Sequence, residues 1–378
     1  MAKRWRIYPH DPDLIDSLER ASGISSVIAQ LLICRGIVDP KVAREFLEAK
    51  LSGLHDPETL PGAAEAAQQI IQAIRANRRI VIYGDYDVDG MSGTALLLRC
   101  LKMLGADVGY YVPNRLDEGY GLNDDALRTL AERETHLVVS VDCGITSAGE
   151  AQTARKLGLE LIITDHHEMA DSLPEADVIV HPRLPGSNYP FGELCGAGVA
   201  LKLAWALCQQ ASDSKKVGQR MKDFLMQSVG LAALGTVADV VPLVDENRLI
   251  VRHGLTSLRP QPTPRIAELM KITELDQKPQ LSSEDIAFTL APRMNAAGRL
   301  GQAQLGVELL TTDDPKRAQS LAEIAQDIAR NKAAAFLHNR GQHRLDYHAG
   351  QFGHQHAAVG TRADVVQSNL VDRHIQLR

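Results

Sequence analysis

Arg79-Ile-Val-Ile-Tyr-Gly-Asp85-Tyr-Asp87-Val-Asp89-Gly90 is an apolar run that breaks onto three carboxylates, and the chain around it is organised the same way. The runs Val108-Gly-Tyr-Tyr-Val112, His136-Leu-Val-Val-Ser-Val141, Glu160-Leu-Ile-Ile-Thr164 and Asp177-Val-Ile-Val180 follow it. Apolar runs this short, separated by stretches of helical period, predict buried parallel strands joined by crossover helices. The third run stops at Asp142-Cys-Gly144 and the fourth at Asp165-His166-His167-Glu168. In a parallel sheet the carboxyl ends of the strands line one crevice, so these polar stops are expected to converge on one spot. The fold class is therefore α/β, a parallel β-sheet flanked by helices.

Outward from that core, residues 1–62 read as an N-terminal helical cap, with short amphipathic pieces at Ile24–Arg35 and Lys41–Leu51 closed by His55-Asp-Pro-Glu-Thr-Leu-Pro-Gly62. Residues 63–245 hold the α/β alternation and the helices at Ala197–Gln210 and Val217–Leu234, after which Asp239 falls at a helix-to-loop junction. Residues 246–335 are expected to form a helical extension, with a Pro-rich linker at Arg259–Arg265 and a long connector helix from Pro315 to about Ala335. Beyond about Leu337 the apolar periodicity stops, and His338, His343, His348, His354, His356 and His374 appear among Gln, Gly and Arg. A disordered tail and a histidine-rich metal tail are alternatives for 336–378; the abrupt loss of pattern favours a stretch that is not the native continuation.

The 378 residues, 44% apolar and 23% charged, are enough to bury a sizeable core. A formal net charge of −6 argues against holding nucleic acid by bulk positive charge and leaves only a local basic groove. The five cysteines are odd in number and widely spaced, without a zinc pattern, as expected for reduced thiols in the cytoplasm. No stretch reaches the roughly 18 apolar residues of a membrane span.

Hard divalent cations take carboxylate oxygens, and a neutral imidazole adds a ligand suited to manganese more than to calcium. Asp87, Asp89, Asp142, His166, His167 and Asp239 supply that mixture. One Asp-x-Asp at a strand end more often caps a helix; three such stops with a fourth acid downstream are a stronger signal. So many ligands favour two ions, with Asp142 placed to bridge them, and ions about 3.5–4 Å apart would stabilise an in-line displacement at phosphorus with water as the nucleophile. Arg115, after the second strand, could grip a phosphate bidentately. The plain reading of Arg115 is a surface arginine; Arg293, Asn295 and Arg299, near Gly298, form a second candidate clamp. His181 ends the fifth strand, either behind the ligands or solvated. Cys143 has no base partner and makes a poor nucleophile.

Val81-Ile-Tyr-Gly-Asp-Tyr-Asp-Val-Asp-Gly-Met-Ser-Gly93 and Asp165-His-His167 carry a resemblance to the DHH phosphoesterase superfamily, and within it to its bacterial single-stranded-DNA-specific 5′ to 3′ exonucleases. Pro113-Asn-Arg115 with Gly119-Tyr-Gly121, Cys195-Gly-Ala-Gly198, Gly235-Thr-Val-Ala-Asp239 and Pro292-Arg-Met-Asn-Ala-Ala-Gly-Arg299 extend it over roughly 20–335. The resemblance implies Asp87, Asp89, Asp142, His166 and Asp239 as metal ligands, Asp142, His166 and His167 as the catalytic set, and Asp85 and Asp165 behind them. It implies Arg115 and Arg299 at DNA phosphates, Mn²⁺ or Mg²⁺ as a pair of ions, and single-stranded DNA as substrate in recombination and repair. A single-strand-binding protein and a helicase are implied partners. Tyr83 stands where pyrophosphatases of the superfamily place a histidine, which tilts the reading away from that activity. The likeness fades inside the connector helix, before the family's second domain and its oligonucleotide-binding fold, so the chain is expected to keep its metal site and hold DNA weakly. A phosphodiesterase on short oligonucleotides or cyclic dinucleotides is the alternative within the fold. A non-catalytic scaffold is the alternative of another class, and it is disfavoured because every expected ligand is present.

Overall fold

The computed structural model of the chain describes residues 10–115, 117–258 and 264–331. The tail expected at 336–378 and the linker residues 259–263 lie outside them.

Three short helices come first, α1 (Pro12–Ser22), α2 (Ser26–Ile33) and α3 (Pro40–Glu48). Asp11 and Asp39 cap α1 and α3 with a Pro in the first turn of each. Ile15, Leu18, Ala29, Leu32 and Ala43 form a small core of their own. Helix α4 (Ala63–Arg75) then leads into the sheet through β1 (Ile80–Gly84), α5 (Val88–Met103), β2 (Val108–Tyr111), α6 (Asp124–Glu132), β3 (Leu137–Val141), α7 (Ala148–Lys156), β4 (Glu160–Thr164) and β5 (Val178–Val180). All four pairings are parallel and the strand order is β2-β1-β3-β4-β5. The order reverses between β1 and β3, which opens the crevice at the carboxyl ends of those two strands.

Side chains alternate across this sheet, so each run feeds two cores. Ile80, Ile82, Leu137, Val139 and Ile162 pack with α4, α5 and the later helices. Val81, Tyr83, Val138, Leu161 and Ile163 pack with α6 and α7. Burying each such Ile or Val stabilises by about 1.5–3 kcal/mol. The Tyr83 hydroxyl donates to Gly121 O at 3.0 Å and accepts from Asn123 Nδ2 at 3.0 Å. At the site where a histidine ligand would stand, it is a satisfied core tyrosine.

Beyond the sheet run α8 (Gly196–Ala211), α9 (Gln219–Ala238), α10 (Asp245–Ser257), α11 (Pro264–Ile272), the short α12 (Ser283–Asp285), a π turn at Ile286–Leu290, α13 (Ala291–Arg299) and α14 (Ala303–Thr311). Residues 315–331 are also helical. Helix α9 reaches past the expected Leu234 to Ala238, with Asp239 as its C-cap. The last carbonyls of α3 are orphans by helix geometry, and α10 supplies them with side-chain partners: Arg248 Nε donates to Phe46 O at 3.0 Å, Arg252 Nη1 donates to Leu47 O at 2.8 Å, and His253 Nε2 lies 2.7 Å from Ala49 O. A fully buried ion pair of Lys202 and Glu246 ties α8 to α10, with Tyr189 donating to the same carboxylate. Among the described residues no helix is long and apolar enough to cross a membrane.

Candidate metal centre

Asp87 begins α5 as its N-cap, its Oδ1 accepting from Asp89 N at 2.8 Å and Gly90 N at 3.1 Å. That leaves the second oxygen for the crevice. Asp89, 1% exposed, accepts from Gly196 N at 2.6 Å and Ala197 N at 2.9 Å, so the amino end of α8 aims and partly neutralises it. The approach is close because Gly235 of α9 lacks a side chain; a Cβ there would meet Asp89 Oδ1 at 2.2 Å. Asp142, at the end of β3, sits in left-handed backbone at φ 65° and is 2% exposed. Backbone strain of this kind is held in place only by its surroundings, here in part by the Asp142 N to Thr164 O bond of 3.0 Å.

Past β4, Asp165 acts as a bracket. Its Oδ2 accepts from Ile145 N at 2.9 Å, and its Oδ1 accepts from His166 N at 2.7 Å and His167 N at 3.2 Å and lies 2.7 Å from His167 Nδ1. In the neutral ring this puts the His167 proton on Nδ1 and leaves the lone pair on Nε2. His181 is buried, not solvated: its Nε2 lies 2.9 Å from His167 O, while Arg183 Nη2 donates to His166 O at 2.7 Å. The end of β5 thus grips the carbonyls of both histidines. The short apolar run before His181 was visible in sequence; the role of Arg183 was not.

His166 Nε2 lies 3.1 Å from Asp142 Oδ1, 3.6 Å from Asp239 Oδ2 and 3.8 Å from Asp89 Oδ2. Three carboxylates therefore surround one imidazole nitrogen, yet His166 Nε2, Asp142 Oδ1 and Asp85 Oδ1 have no hydrogen-bond partner. The distance to Asp142 is short enough for a bond, but the directions are wrong, as for ligand atoms aimed at a common point between them. Each buried unsatisfied group costs about 1–3 kcal/mol, a cost that a bound cation would offset. Ligand atoms converge in three groups: Asp142, His166 and His167; Asp89, His166 and Asp239; and Asp85, Asp87 and Asp142. Asp142 and His166 each belong to two. Asp85, expected behind the ligands, belongs to the third of these groups.

The charges carry the same message. Burial, then the neighbouring Asp87, pushes Asp85 up to about 8, and burial, then Asp89 and Asp87, pushes Asp239 up to about 8. Asp89 is raised by burial, and Asp142 is raised by burial together with Asp89, Asp87, Asp85 and Asp165. Burial opposes ionisation of Asp165 too, but the His167 hydrogen bond and charge hold it below the usual range. Burial lowers His166, whereas Asp165 overcomes burial to hold His167 up at about 9. Burial raises the Cys143 thiol, against a thiolate nucleophile. The donor set, oxygens with one or two imidazoles, fits Mn²⁺ or Mg²⁺.

At the mouth, the exposed Arg115 lays its guanidinium 4.9 Å from the Tyr86 ring centroid. The Tyr120 hydroxyl donates to Asp142 O at 3.3 Å and lies 3.4 Å from His167 Nδ1. It was missed in sequence, although Gly119-Tyr-Gly121 was noted. Of the second expected clamp, Arg293 and Asn295 point to different partners. Arg293 is turned to the helix at 315–331, donating to Gln326 Oε1 at 2.5 Å and to Thr289 O at 2.6 Å. Asn295 accepts from Val88 N at 3.0 Å. The side chain of Arg299 lies outside the described residues.

Residues 79–236 match the family described as "DHH family, N-terminal domain". The chain is 40% identical over 380 residues to the single-stranded-DNA-specific exonuclease RecJ of Bacillus subtilis (strain 168), covering 98% of this chain and 46% of that protein. To RecJ of Escherichia coli (strain K12) it is 37% identical over 300 residues, 78% of this chain and 51% of that one. The chain spans about half the length of these curated relatives. The crystal structure of exonuclease RecJ bound to manganese superposes with a TM-score of 0.66 at 36% identity, over 75% of this chain and 69% of that one. RecJ in complex with Mn²⁺ from Thermus thermophilus gives 0.74 at 32% identity, over 88% of this chain and 46% of that one.

Proposed function

The chain belongs to the DHH family, among its RecJ-type members, and from that premise we propose that it hydrolyses phosphodiester bonds of single-stranded DNA from the 5′ end with two Mn²⁺ or Mg²⁺ ions. The observation that carries the reading is the series of three ligand groups linked through His166 and Asp142 at the sheet's switch point. Asp87, Asp89, Asp142, His166 and Asp239 would hold the ions, with Asp85 beside them. When bound, such ions acidify water and offset charge on a phosphate in displacement. Asp165 holds His167 through Nδ1, and the His167 side chain, 43% exposed, would touch the scissile phosphate. Arg115, seated on Tyr86, is the cation that grips backbone phosphate at the mouth. Kinship supports a place in recombination and repair. The catalytic domain is assigned to 63–245, with the cap before it and the helical extension after it.

A 3′-labelled, 5′-phosphorylated single strand with Mn²⁺ should shorten stepwise from its 5′ end, and the matching duplex should resist. Cleavage of dinucleotides with the long strand left intact would replace this reading by a short-oligonucleotide phosphodiesterase. Absence of both would leave a scaffold.

Stability should report on the same site. In the metal-free protein, Asp85 and Asp239 keep protons up to about 8 that the unfolded chain releases near 4, so folding weakens as pH rises through that range. His167, held up to about 9, adds to the loss above its ordinary value near 6.5. His166 and His181 are lowered, and their opposing contribution is complete by about 6.5. Between pH 6.5 and 8 the Tm in EDTA is therefore expected to fall, and the rise on adding Mn²⁺ to grow. A Tm in EDTA that climbs over that interval would contradict this account.

A further inference from the structure

The first three N–H groups of α5 lack helical partners, and two side chains divide them. Asp87 Oδ1 takes Asp89 N and Gly90 N, while Val88 N donates to Asn295 Oδ1 at 3.0 Å. Because an N–H faces it, this atom of the Asn295 amide is fixed as the oxygen. One turn-length further along α13, Gly298 presses its backbone on the peptide between Asp85 and Asp87: a Cβ there would stand 2.0 Å from Tyr86 O. Helix α13 therefore meets the loop Asp85–Asp89 at two points from outside residues 79–236. It is itself held by Arg293, which joins Gln326 of the helix at 315–331 to Thr289 O in the π turn.

We propose that Asn295 is a positioning residue for the metal centre, bracing the amino end of α5 so that the second oxygen of Asp87 stays available to an ion, and is not a DNA contact. Without that acceptor, Val88 N turns to the nearest carboxylate, and Asp87 must satisfy three amides in place of two. The inference rests on the metal-site part of the proposed function and is independent of DNA being the substrate.

The test is Mn²⁺ titration of the whole chain, read by loss of the free-ion paramagnetic signal, for wild type, Asn295→Ala and Asn295→Asp, with kcat and KM on a single-stranded oligonucleotide. Asn295→Ala should bind Mn²⁺ about 10–100-fold more weakly and, at saturating Mn²⁺, keep its KM for DNA. Asn295→Asp retains the acceptor and should bind within a few-fold of wild type, which tests the brace even if the alanine variant does not fold. Wild-type Mn²⁺ affinity in Asn295→Ala with a raised KM would make it a DNA contact and overturn the proposal, as would a folded Asn295→Asp that binds as weakly as the alanine form. A wild-type chain that binds Mn²⁺ but leaves DNA intact would defeat the nuclease reading alone, because the titrations still decide the brace.

Discussion

Asp142→Asn is expected to lose turnover of single-stranded DNA by about 10³-fold or more, because it removes the carboxylate shared by two ligand groups and with it several kcal/mol of charge stabilisation at phosphorus. The substitution is clean for a structural reason. Asp142 sits at φ 65°, and asparagine tolerates left-handed backbone as well as aspartate does. The loop therefore keeps its shape while the charge goes. In EDTA the variant should melt no lower than wild type, since the wild-type carboxylate is buried and faces Asp89, Asp87, Asp85 and Asp165. The rise in Tm on adding Mn²⁺ should shrink to a small fraction of the wild-type rise. Turnover above a tenth of wild type, or an undiminished Mn²⁺ shift, would remove Asp142 from the centre of the mechanism.

Gly235→Ala is expected to go against helix propensity. In the interior of an exposed helix, alanine in place of glycine gains about 1 kcal/mol. Gly235 lies inside α9, but its added methyl would meet Asp89 Oδ1 at 2.2 Å and Ala197 Cβ at 2.6 Å. Either α9 moves away from α5 and α8, or Asp89 leaves the Gly196 and Ala197 amides. The overpacking should cost about 1–3 kcal/mol, and displacement of Asp89 should weaken Mn²⁺ binding about 10–100-fold. Gly149→Ala in α7 is the control, because a Cβ there meets nothing within 4 Å; it should leave both Tm and metal affinity at or slightly above wild type. Equal behaviour of the two variants in calorimetric unfolding and Mn²⁺ titration would show that the contact at Gly235 is slack.

Sequence reading succeeded where the physics is local. Strands buried on both faces must be apolar almost throughout, so Ile80–Gly84 and Leu137–Val141 announce themselves. A carboxylate that stops such a run cannot sit among the strand's apolar side chains, so Asp85, Asp142 and Asp165 had to stand just past the carboxyl ends of their strands. The same logic says less about placements that depend on direction. Asp85 was expected behind the ligands and is grouped with them, because β1 ends at Gly84 and the next side chain falls in the crevice. Asn295 and Arg293 were expected together as a phosphate clamp, but one faces α5 and the other the helix at 315–331.

The chain's sequence by itself determined the parallel sheet, the residue types that could hold a divalent cation, and the family to which those motifs belong, since periodicity and strand-end chemistry are written within a few residues of each other. Only the tertiary structure decided which atoms meet: Asp89 with the amides of Gly196 and Ala197, His166 with Asp239, Asn295 with Val88. Those pairs join elements far apart along the chain, and their distances follow from how α5, α8, α9 and α13 pack on one another. A helical glycine such as Gly235 looks the same in sequence whether it faces water or a carboxylate; the close packing of three helices makes it part of the metal centre.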